Sequence, residues 1–162
     1  GEYYASVFGG LYGLETVCLR YFNVFGPRQD PSSPYSGVIS IFMNKATAGD
    51  VPTIYGDGGQ SRDFIFVKDV VRANLLAATE AAAAGRVYNV GTGVIIRILD
   101  LWKLIGGLSN VKIDPVFDPP RAGDIRESVS DIGRIRQSLG FRPRMALRQG
   151  LIDTLAWYRN PS

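Results

Sequence analysis

The sequence predicts an α/β fold, with a small mixed α/β region beside a few parallel strands. Segments rich in β-branched and aromatic residues alternate along the chain with segments whose apolar residues recur at helical spacing. Residues 16–22 carry apolar side chains on both faces apart from Arg20, which is typical of a strand covered on both sides in a parallel sheet. Few segments have this character, so we expect the end of a larger α/β protein.

The first third of the chain contains two predicted helices and one strand. A helix is predicted over residues 2–12 because Gly13 can end it in the left-handed conformation. The strand at 16–22 is followed by a loop rich in proline and serine over residues 27–36, and a loop of that length usually has a function. The second helix is predicted over residues 37–48.

The middle third begins with a short strand over residues 51–55, a glycine-rich turn and a second extended segment over residues 63–67. A helix is predicted over residues 68–84, with an apolar face that includes Val71, Leu75 and Ala78.

The last third begins with a strand over residues 87–90, ended by Gly-Thr-Gly, and continues with a strand-like segment over residues 112–117. Asp131 is placed to cap a short helix that extends to Leu139. Apolar stripes predict two further helices, one through Ile98, Leu101, Trp102 and Ile105, the other through Leu147, Leu151, Thr154, Leu155 and Tyr158.

The composition excludes several kinds of chemistry. The 162 residues contain no histidine, which excludes Ser-His-Asp and Cys-His pairs and imidazole metal ligands. The single Cys18 excludes an internal disulfide and a cysteine cluster for a metal, and suits the reducing cytoplasm. The net charge is only +3, its basic residues are scattered, and the longest uncharged run is too short to span a membrane. We therefore expect no metal, no nucleic acid partner and no membrane.

Three polar loops are candidates for ligand binding. Asn23 follows a strand of the parallel type, where it either meets a ligand or caps the loop. Arg62 beside Asp63 has the local pattern of a surface ion pair, and that interpretation is favoured on local pattern alone. Arg121 and Asp124 carry a bidentate phosphate donor and an acceptor for sugar hydroxyls, a combination that suits a nucleoside diphosphate. Spacing does not show whether the loops meet.

Four spaced motifs together resemble the NAD-dependent epimerase/dehydratase family of extended short-chain dehydrogenases. They are Leu-Arg-Tyr-Phe-Asn-Val-Phe-Gly-Pro-Arg-Gln at 19–29, Tyr-Gly-Asp-Gly with Ser-Arg-Asp-Phe at 55–64, Tyr-Asn-Val-Gly-Thr-Gly at 88–93, and Arg-Ala-Gly-Asp at 121–124. Within that family the chain is most similar to the UDP-N-acetylglucosamine and UDP-hexose 4-epimerases. The resemblance covers essentially the whole chain and implies an extended Rossmann-type fold.

The resemblance implies one UDP-sugar site. Asn23, Arg62 and Arg121 would hold the UDP moiety and Asp124 its ribose, which reverses the surface-pair interpretation of Arg62. The remaining assignments are Thr53 and Tyr55 beside the uracil, Gly37 and Val38 beside the hexose, and the main chain of Tyr21 and Val24 near the nicotinamide.

The family's catalytic machinery is expected upstream of Gly1. The sequence contains neither a glycine-rich dinucleotide fingerprint nor a Tyr-x-x-x-Lys pair, and residues 2–5 match the segment that follows that lysine. The resemblance therefore implies a C-terminal part: residues 1–36 end the Rossmann domain, and residues 37–162 form mainly the substrate domain, with strand 87–91 returning to the Rossmann sheet. NAD would serve the parent enzyme, whereas this chain would bind none, supply no catalytic residue and be inactive alone.

Ser128 stands where strict UDP-galactose epimerases have a large tyrosine, which implies room for a 2-acetamido group. The sequence departs from the family at Ser40, usually proline, and at residues 94–97, where Val-Ile-Ile-Arg replaces a polar segment. A homodimer through helix 2–12 is expected. Two alternatives stay open: a nucleotide-sugar dehydratase or decarboxylase, against which the Arg-Gln-Asp-Pro run and Tyr35 favour an epimerase, and a non-catalytic module that binds nucleotide sugars or packs against a partner.

Overall fold

The computed structural model of the chain describes residues 1–33 and 37–160. Tyr35, which favours an epimerase in the sequence, lies outside the described residues. The helices are α1 (Glu2–Tyr12), α2 (Val38–Ala48), α3 (Val67–Thr79), α4 (Ile98–Ser109), α5 (Gly133–Leu139) and α6 (Leu147–Arg159). The strands are β1 (Val17–Tyr21), β2 (Asn23–Phe25), β3 (Thr53–Tyr55), β4 (Ser61–Phe66), β5 (Arg86–Val90), β6 (Ile95–Arg97), β7 (Val116–Asp118) and β8 (Glu127–Ser128). This alternation confirms the predicted α/β class.

The strands form small parallel and mixed sheets. β1 pairs with β5 in parallel, and β3 pairs with β7 in parallel. β4 is the central strand of the remaining sheet, because it pairs in parallel with β2 and β8 and antiparallel with β6. The expectation that residues 16–22 are covered on both faces is wrong. Arg20 and Tyr21 are exposed and the other residues of β1 are only half-buried, because the helices that contact β1, α1 and α3, cover it only in part. Among the described strands, β1 pairs with β5 alone.

Two apolar clusters hold these elements together. The first packs α2, α4 and α6 against β2 and β4, with Phe42, Trp102 and Leu151 among its buried members. The second packs α3 and α5 on β5, with Tyr88 and Phe141 fully buried. β4 contributes to both clusters, since Phe64 and Phe66 face the first and Ile65 faces the second. The two faces of one strand therefore fix how the two halves of the core meet.

The predicted apolar face of α3 is wrong. Val71 and Leu75 are 52% and 60% exposed, and Ala78 is exposed as well. The buried face instead carries Val70 with Asp69, Ala73 and Ala77. Small alanines allow the helix to approach its neighbours closely, and the Asp69 carboxylate accepts main-chain N–H groups of the loop before α6. The helix also ends at Thr79, short of the predicted residue 84, and a 3₁₀ turn follows at Ala81–Ala83.

Other local predictions agree with the structure. Helix α1 ends at Gly13, whose φ of 66° is left-handed, and Asp131 accepts the N–H of Gly133 at 2.7 Å at the start of α5. The apolar stripe of α4 is buried.

Two further predictions are not confirmed in full. Of the strand-like segment at 112–117, only the last two residues lie in a strand, β7. The division of the chain at residue 36 stays a prediction. Within residues 1–33 and 37–160, no helix is both long and apolar enough to cross a membrane.

Candidate functional site

A cavity of about 350 Å³ lies where β2, β3 and β4 meet the loop that follows β7. Most of the predicted substrate-binding residues line it. They are Asn23, Val38, Thr53, Tyr55, Arg62, Arg121 and Asp124. These residues come from separate parts of the chain, so the structure answers the question that spacing left open: the three polar loops meet at one place.

Arg62 connects β4 to the loop after β7. Its Nη2 forms an ion pair with Asp124, and its Nη1 donates to the carbonyl oxygen of Ile125 at 2.6 Å. A third bond joins Nη1 to the carbonyl oxygen of Ser61 at 2.8 Å. Because the side chain is mostly buried, these bonds hold a fixed positive charge at the cavity wall.

Arg121 supplies the second positive charge of the cavity. Its Cζ lies 3.8 Å from the centroid of the Tyr55 ring, which is the geometry of a cation–π contact. Arg121 itself is exposed, so this contact is what holds its guanidinium against β3. Two guanidinium groups and one carboxylate therefore face the cavity, which leaves a positive excess suited to an anion.

Asp63 was missed as a site residue, and the suggested surface pair between Arg62 and Asp63 is wrong. Neighbouring side chains of a strand point to opposite faces, so Asp63 turns away from Arg62 into the interior, where its exposure is 0%. Its carboxylate accepts the N–H groups of Thr92 and Gly93, each at 2.9 Å, and the N–H and hydroxyl of Ser130. Period-two alternation in a strand is the signal that could have found it.

The buried Asp63 network stands directly behind the cavity. The main-chain oxygen of Asp63 accepts a bond from Asn23 Nδ2 at 2.9 Å, which fixes the amide of a predicted ligand-binding residue. Gln60, also missed by sequence reasoning, lines the cavity and donates from Nε2 to the carbonyl oxygen of Tyr55 at 2.7 Å. Asn23 thus bonds to the backbone of the neighbouring strand β4, which is not the loop cap that was the alternative, and it lines the cavity, where ligand contact stays a prediction.

The loop after β7 is attached at a second point by Asp57 and Arg126. The two side chains form a bidentate pair, with Nη1 to Oδ1 at 2.6 Å and Nη2 to Oδ2 at 3.0 Å. The hydrogen bonds from Arg126, followed by one from the N–H of Gly59, lower the pKa of the Asp57 carboxyl from 3.8 to about 2. The exposed Asp57–Arg126 pair thus joins the base of the loop to the turn after β3, and the tip of the loop contacts the Tyr55 ring through the guanidinium of Arg121.

Four predicted residues lie beside or away from the cavity. Gly37 immediately precedes the lining residue Val38, and its oxygen accepts a bond from Ser40 Oγ at 2.7 Å. Ser128 is half-buried on β8, directly opposite Arg62 in the parallel pair. The remaining two are Tyr21, whose hydroxyl donates to Asn74 Oδ1 at 2.9 Å beside another cavity, and Val24, which packs on the second apolar cluster.

Gly1, upstream of which the catalytic pair is expected, does not belong to the site. It is exposed, it precedes α1 as the N-cap residue, and its carbonyl oxygen accepts the N–H of Ala5 at 3.0 Å in the first turn of that helix. Gly1 does not line the cavity between β2, β3 and β4. Its contacts are those of a helix start, and the position of the catalytic pair stays a prediction.

The side chains that line the cavity are suited to binding a polar, anionic ligand. Within residues 1–33 and 37–160, no group of three or more histidine, cysteine or acidic side chains could hold a metal ion. The cavity offers guanidinium donors for phosphates, an aromatic ring for a base and carboxylate and amide groups for hydroxyls. These groups can hold and orient a nucleoside diphosphate.

The chain is similar in sequence to a known family and to several known proteins. Residues 1–91 match the model of the NAD dependent epimerase/dehydratase family. A UDP-glucose 4-epimerase of Mycolicibacterium smegmatis is 41% identical over all of this chain and 51% of its own length. A UDP-N-acetyl-alpha-D-glucosaminuronate decarboxylase of Bacillus cytotoxicus is 33% identical over 92% of this chain and 48% of its own. The chain thus spans about half the length of the curated relatives it matches.

Two solved structures share the fold over nearly the whole chain. The UDP-glucose 4-epimerase of Thermotoga maritima, solved with UDP-glucose, has a TM-score of 0.93 and 40% identity over 98% of this chain and 50% of its own. The UDP-N-acetylglucosamine 4-epimerase of Methanobrevibacter ruminantium, solved with UDP-N-acetylmuramic acid, has a TM-score of 0.93 and 40% identity over 99% of this chain and 51% of its own.

Proposed function

Since the chain belongs to the NAD-dependent epimerase/dehydratase family, as its motifs predicted, we propose that it forms the UDP-sugar-binding portion of a nucleotide-sugar 4-epimerase. The observation that carries this proposal is the convergence of Arg62 and Arg121 on one cavity with Tyr55 and Asp124. Two separated guanidinium groups match the two phosphates of a nucleoside diphosphate better than they match a monoanion.

Each wall of the cavity has a role in this proposal. Arg62 and Arg121 neutralise the pyrophosphate, and Asp124 accepts a hydrogen bond from a ribose hydroxyl. Tyr55 and Thr53 flank the base. The remaining three residues, Asn23, Gly37 and Val38, border the sugar end. Because Arg62 pairs with Asp124, a phosphate that binds there shares the guanidinium with that carboxylate.

We assign the size limit of the sugar pocket to Ser128. This side chain is small and stands opposite Arg62 on the neighbouring strand, so a bulkier residue there would approach the bound sugar phosphate. The enzyme would then accept UDP-GlcNAc or UDP-GalNAc. In an enzyme that contains this chain, Ser128→Tyr should impair turnover of the acetylated substrates selectively. An equal loss on acetylated and plain sugars would refute the assignment.

The residues present do not fit NAD on their own. The sequence holds neither a glycine-rich dinucleotide fingerprint nor a Tyr-x-x-x-Lys pair, and Tyr21 and Val24 offer only main-chain groups. We therefore assign hydride transfer, the chemistry that NAD supplies, to an N-terminal half that this chain would join. The incompletely paired β1 and the exposed Val71 and Leu75 of α3 support such a neighbour. This chain then binds and orients the nucleotide.

Helix α1 supports a homodimer of the complete enzyme. None of its residues is buried, and its large exposed side chains include Tyr3, Tyr4, Leu11 and Tyr12. Apolar surface of this extent is typical of an interface. The dimer would cover the aromatic side chains of α1 without involving the UDP cavity.

Two rival functions have distinct consequences. A dehydratase or decarboxylase would use the same nucleotide cavity. The similarity of the chain to a 33% identical decarboxylase supports this alternative. The product formed by an enzyme containing the chain separates these from an epimerase. A module that only packs against a partner would bind neither UDP nor NAD.

Isothermal titration calorimetry with UDP and with NAD tests the proposal on the chain itself. We expect saturable heat with UDP and none with NAD, and no interconversion of UDP-sugars in the presence of NAD. Turnover by the isolated chain would contradict the assignment of catalysis to another half. Absence of UDP binding would contradict the assignment of the cavity.

A further inference from the structure

A second groove, lined by a different set of residues from the UDP cavity, lies beside β4 and β6. Its volume is about 520 Å³, and its lining is mainly apolar, with Phe64, Val94, Ile96, Ile132 and Leu147 among the contributors. Val94 is 58% exposed, so the groove carries apolar surface that the described residues leave uncovered. Exposed apolar surface within a concave site is typical of an interaction site.

Arginines surround this groove. Arg136 of α5 and Arg142 and Arg144 of the loop before α6 line it. None of the three forms an ion pair with a carboxylate within residues 1–33 and 37–160. This arrangement contrasts with Arg62, Arg72 and Arg126, each of which has an acidic partner. An apolar floor with unpaired guanidinium groups is complementary to a ligand that combines apolar and acidic groups.

The strand beside the groove also has an open edge. β6 pairs with β4 only, and no other described strand pairs with it. Arg97 lies opposite Ser61 in the antiparallel pair, and the next residue, Ile98, donates its N–H to the oxygen of Gln60 at 2.9 Å. Hydrogen-bonded and non-hydrogen-bonded pairs alternate in an antiparallel ladder. Ile95 and Arg97 are therefore in non-hydrogen-bonded pairs, and their main-chain N–H and C=O groups point away from β4. Two residues of β6 thus offer main-chain donors and acceptors to an added strand.

We propose that the free edge of β6 and the adjoining groove bind an extended acidic segment of a partner protein by strand addition. The segment's main chain pairs with Ile95 and Arg97, its apolar side chains enter the groove beside Val94, and its carboxylates pair with the arginines. The open strand edge favours a peptide over a lipid or a small anion, because only a peptide uses the backbone groups. The proposal does not depend on UDP binding.

Fluorescence anisotropy with labelled octapeptides tests the proposal on the 162-residue chain. The probe alternates leucine and glutamate. One control peptide replaces glutamate with lysine, a second replaces leucine with serine, and a third carries N-methyl groups on alternate residues. We expect saturable binding of the leucine–glutamate peptide with one site per chain, and dissociation constants at least about tenfold higher for each control. A dissociation constant for the N-methylated peptide equal to that of the probe would overturn strand addition.

Variants of the chain locate the binding. The double substitution Arg136→Gln and Arg144→Gln, and separately Val94→Asp, should raise the dissociation constant of the probe at least about tenfold. Arg148→Gln is the matched control, because Arg148 is exposed on α6 and does not line the groove. Circular dichroism checks that each variant is folded. Equal affinity for all variants, or displacement of the probe by dodecanoate at the same concentration as by unlabelled peptide, would contradict the proposal.

Discussion

The guanidinium of Arg121 lies over the aromatic ring of Tyr55, with its Cζ 3.8 Å from the ring centroid. Tyr55 ends β3, and Arg121 belongs to the loop after β7, so the contact holds the tip of that loop against the strand. The base of the same loop is held by ion pairs to Arg62 and Asp57. The Arg121 guanidinium and the aromatic Tyr55 wall of the cavity are therefore in direct contact.

This contact predicts different ligand profiles for two substitutions. Arg121→Ala removes a charge that acts on phosphates, so it should weaken UDP binding by about tenfold and change uridine binding little. Tyr55→Leu removes the ring beside the base, so it should weaken UDP and uridine alike. Titration calorimetry with both ligands on both variants measures this pattern. An equal loss of UDP and uridine binding in Arg121→Ala would show that Arg121 acts on the base.

The Asp57–Arg126 pair predicts a pH dependence at the acidic end. The folded-state pKa of Asp57 is lowered to about 2, below its ordinary 3.8, so the pair contributes stability that is complete above pH 3.8. That contribution is lost as the pH falls through about 2. The difference in urea midpoint between the wild type and Asp57→Asn should be constant from about pH 5 to 7 and shrink below about pH 4. A difference in urea midpoint that is largest at acidic pH would contradict the predicted contribution of the Asp57–Arg126 pair.

The buried carboxylate of Asp63 predicts a large stability effect. Asp63→Ala removes the carboxylate acceptor of the N–H groups of Thr92 and Ser130 in a buried site, and should lower the free energy of unfolding by about 3 kcal/mol or more. Asp114 is exposed, and Asp114→Ala serves as the control that changes stability little. Urea denaturation measures both. A wild-type unfolding midpoint in Asp63→Ala would show that the network is not needed for stability.

Substitution by alanine should change stability in opposite directions at two helical glycines. A Cβ at Gly150 would lie 2.8 Å from Phe25 Cζ and 2.9 Å from Phe66 Cδ2, so Gly150→Ala should destabilise the chain by about 1–3 kcal/mol. Gly107 lies on α4 with open space around it, so Gly107→Ala should stabilise the chain by about 0.5–1 kcal/mol. Thermal denaturation compares the pair. The same sign of change in both variants would contradict this packing of α6.

Sequence periodicity predicted where the helices lie, but it did not always identify which face of a helix is buried. In α4 the predicted stripe through Ile98, Leu101, Trp102 and Ile105 is the buried face, and the leucines beside it are only partly buried. Helix α3 has apolar residues on two faces, and periodicity selected Val71 and Leu75, which are exposed. The buried face of α3 is chosen by close approach of small alanines and by the bonds of Asp69, which depend on a loop about 75 residues away. No local pattern contains that information.

The site shows the same division between local and long-range information. Motif resemblance selected Arg62, Arg121 and Asp124, and the structure brings them to one cavity. The ion pair between Arg62 and Asp124 joins residues 62 positions apart, which spacing alone does not reveal. Asp63 was overlooked because its neighbour Arg62 offered an apparent partner, although strand alternation places the two side chains on opposite faces.

Calorimetric titration of UDP into the wild type, Arg62→Ala and Arg148→Ala tests the assignment of the cavity most directly. Arg62 is held at the cavity wall by Asp124 and Ile125, whereas Arg148 is an exposed arginine of α6. We predict that UDP binds the wild type and Arg148→Ala alike, and that its dissociation constant rises about tenfold or more in Arg62→Ala. Binding of UDP to Arg62→Ala with wild-type affinity would contradict the assignment.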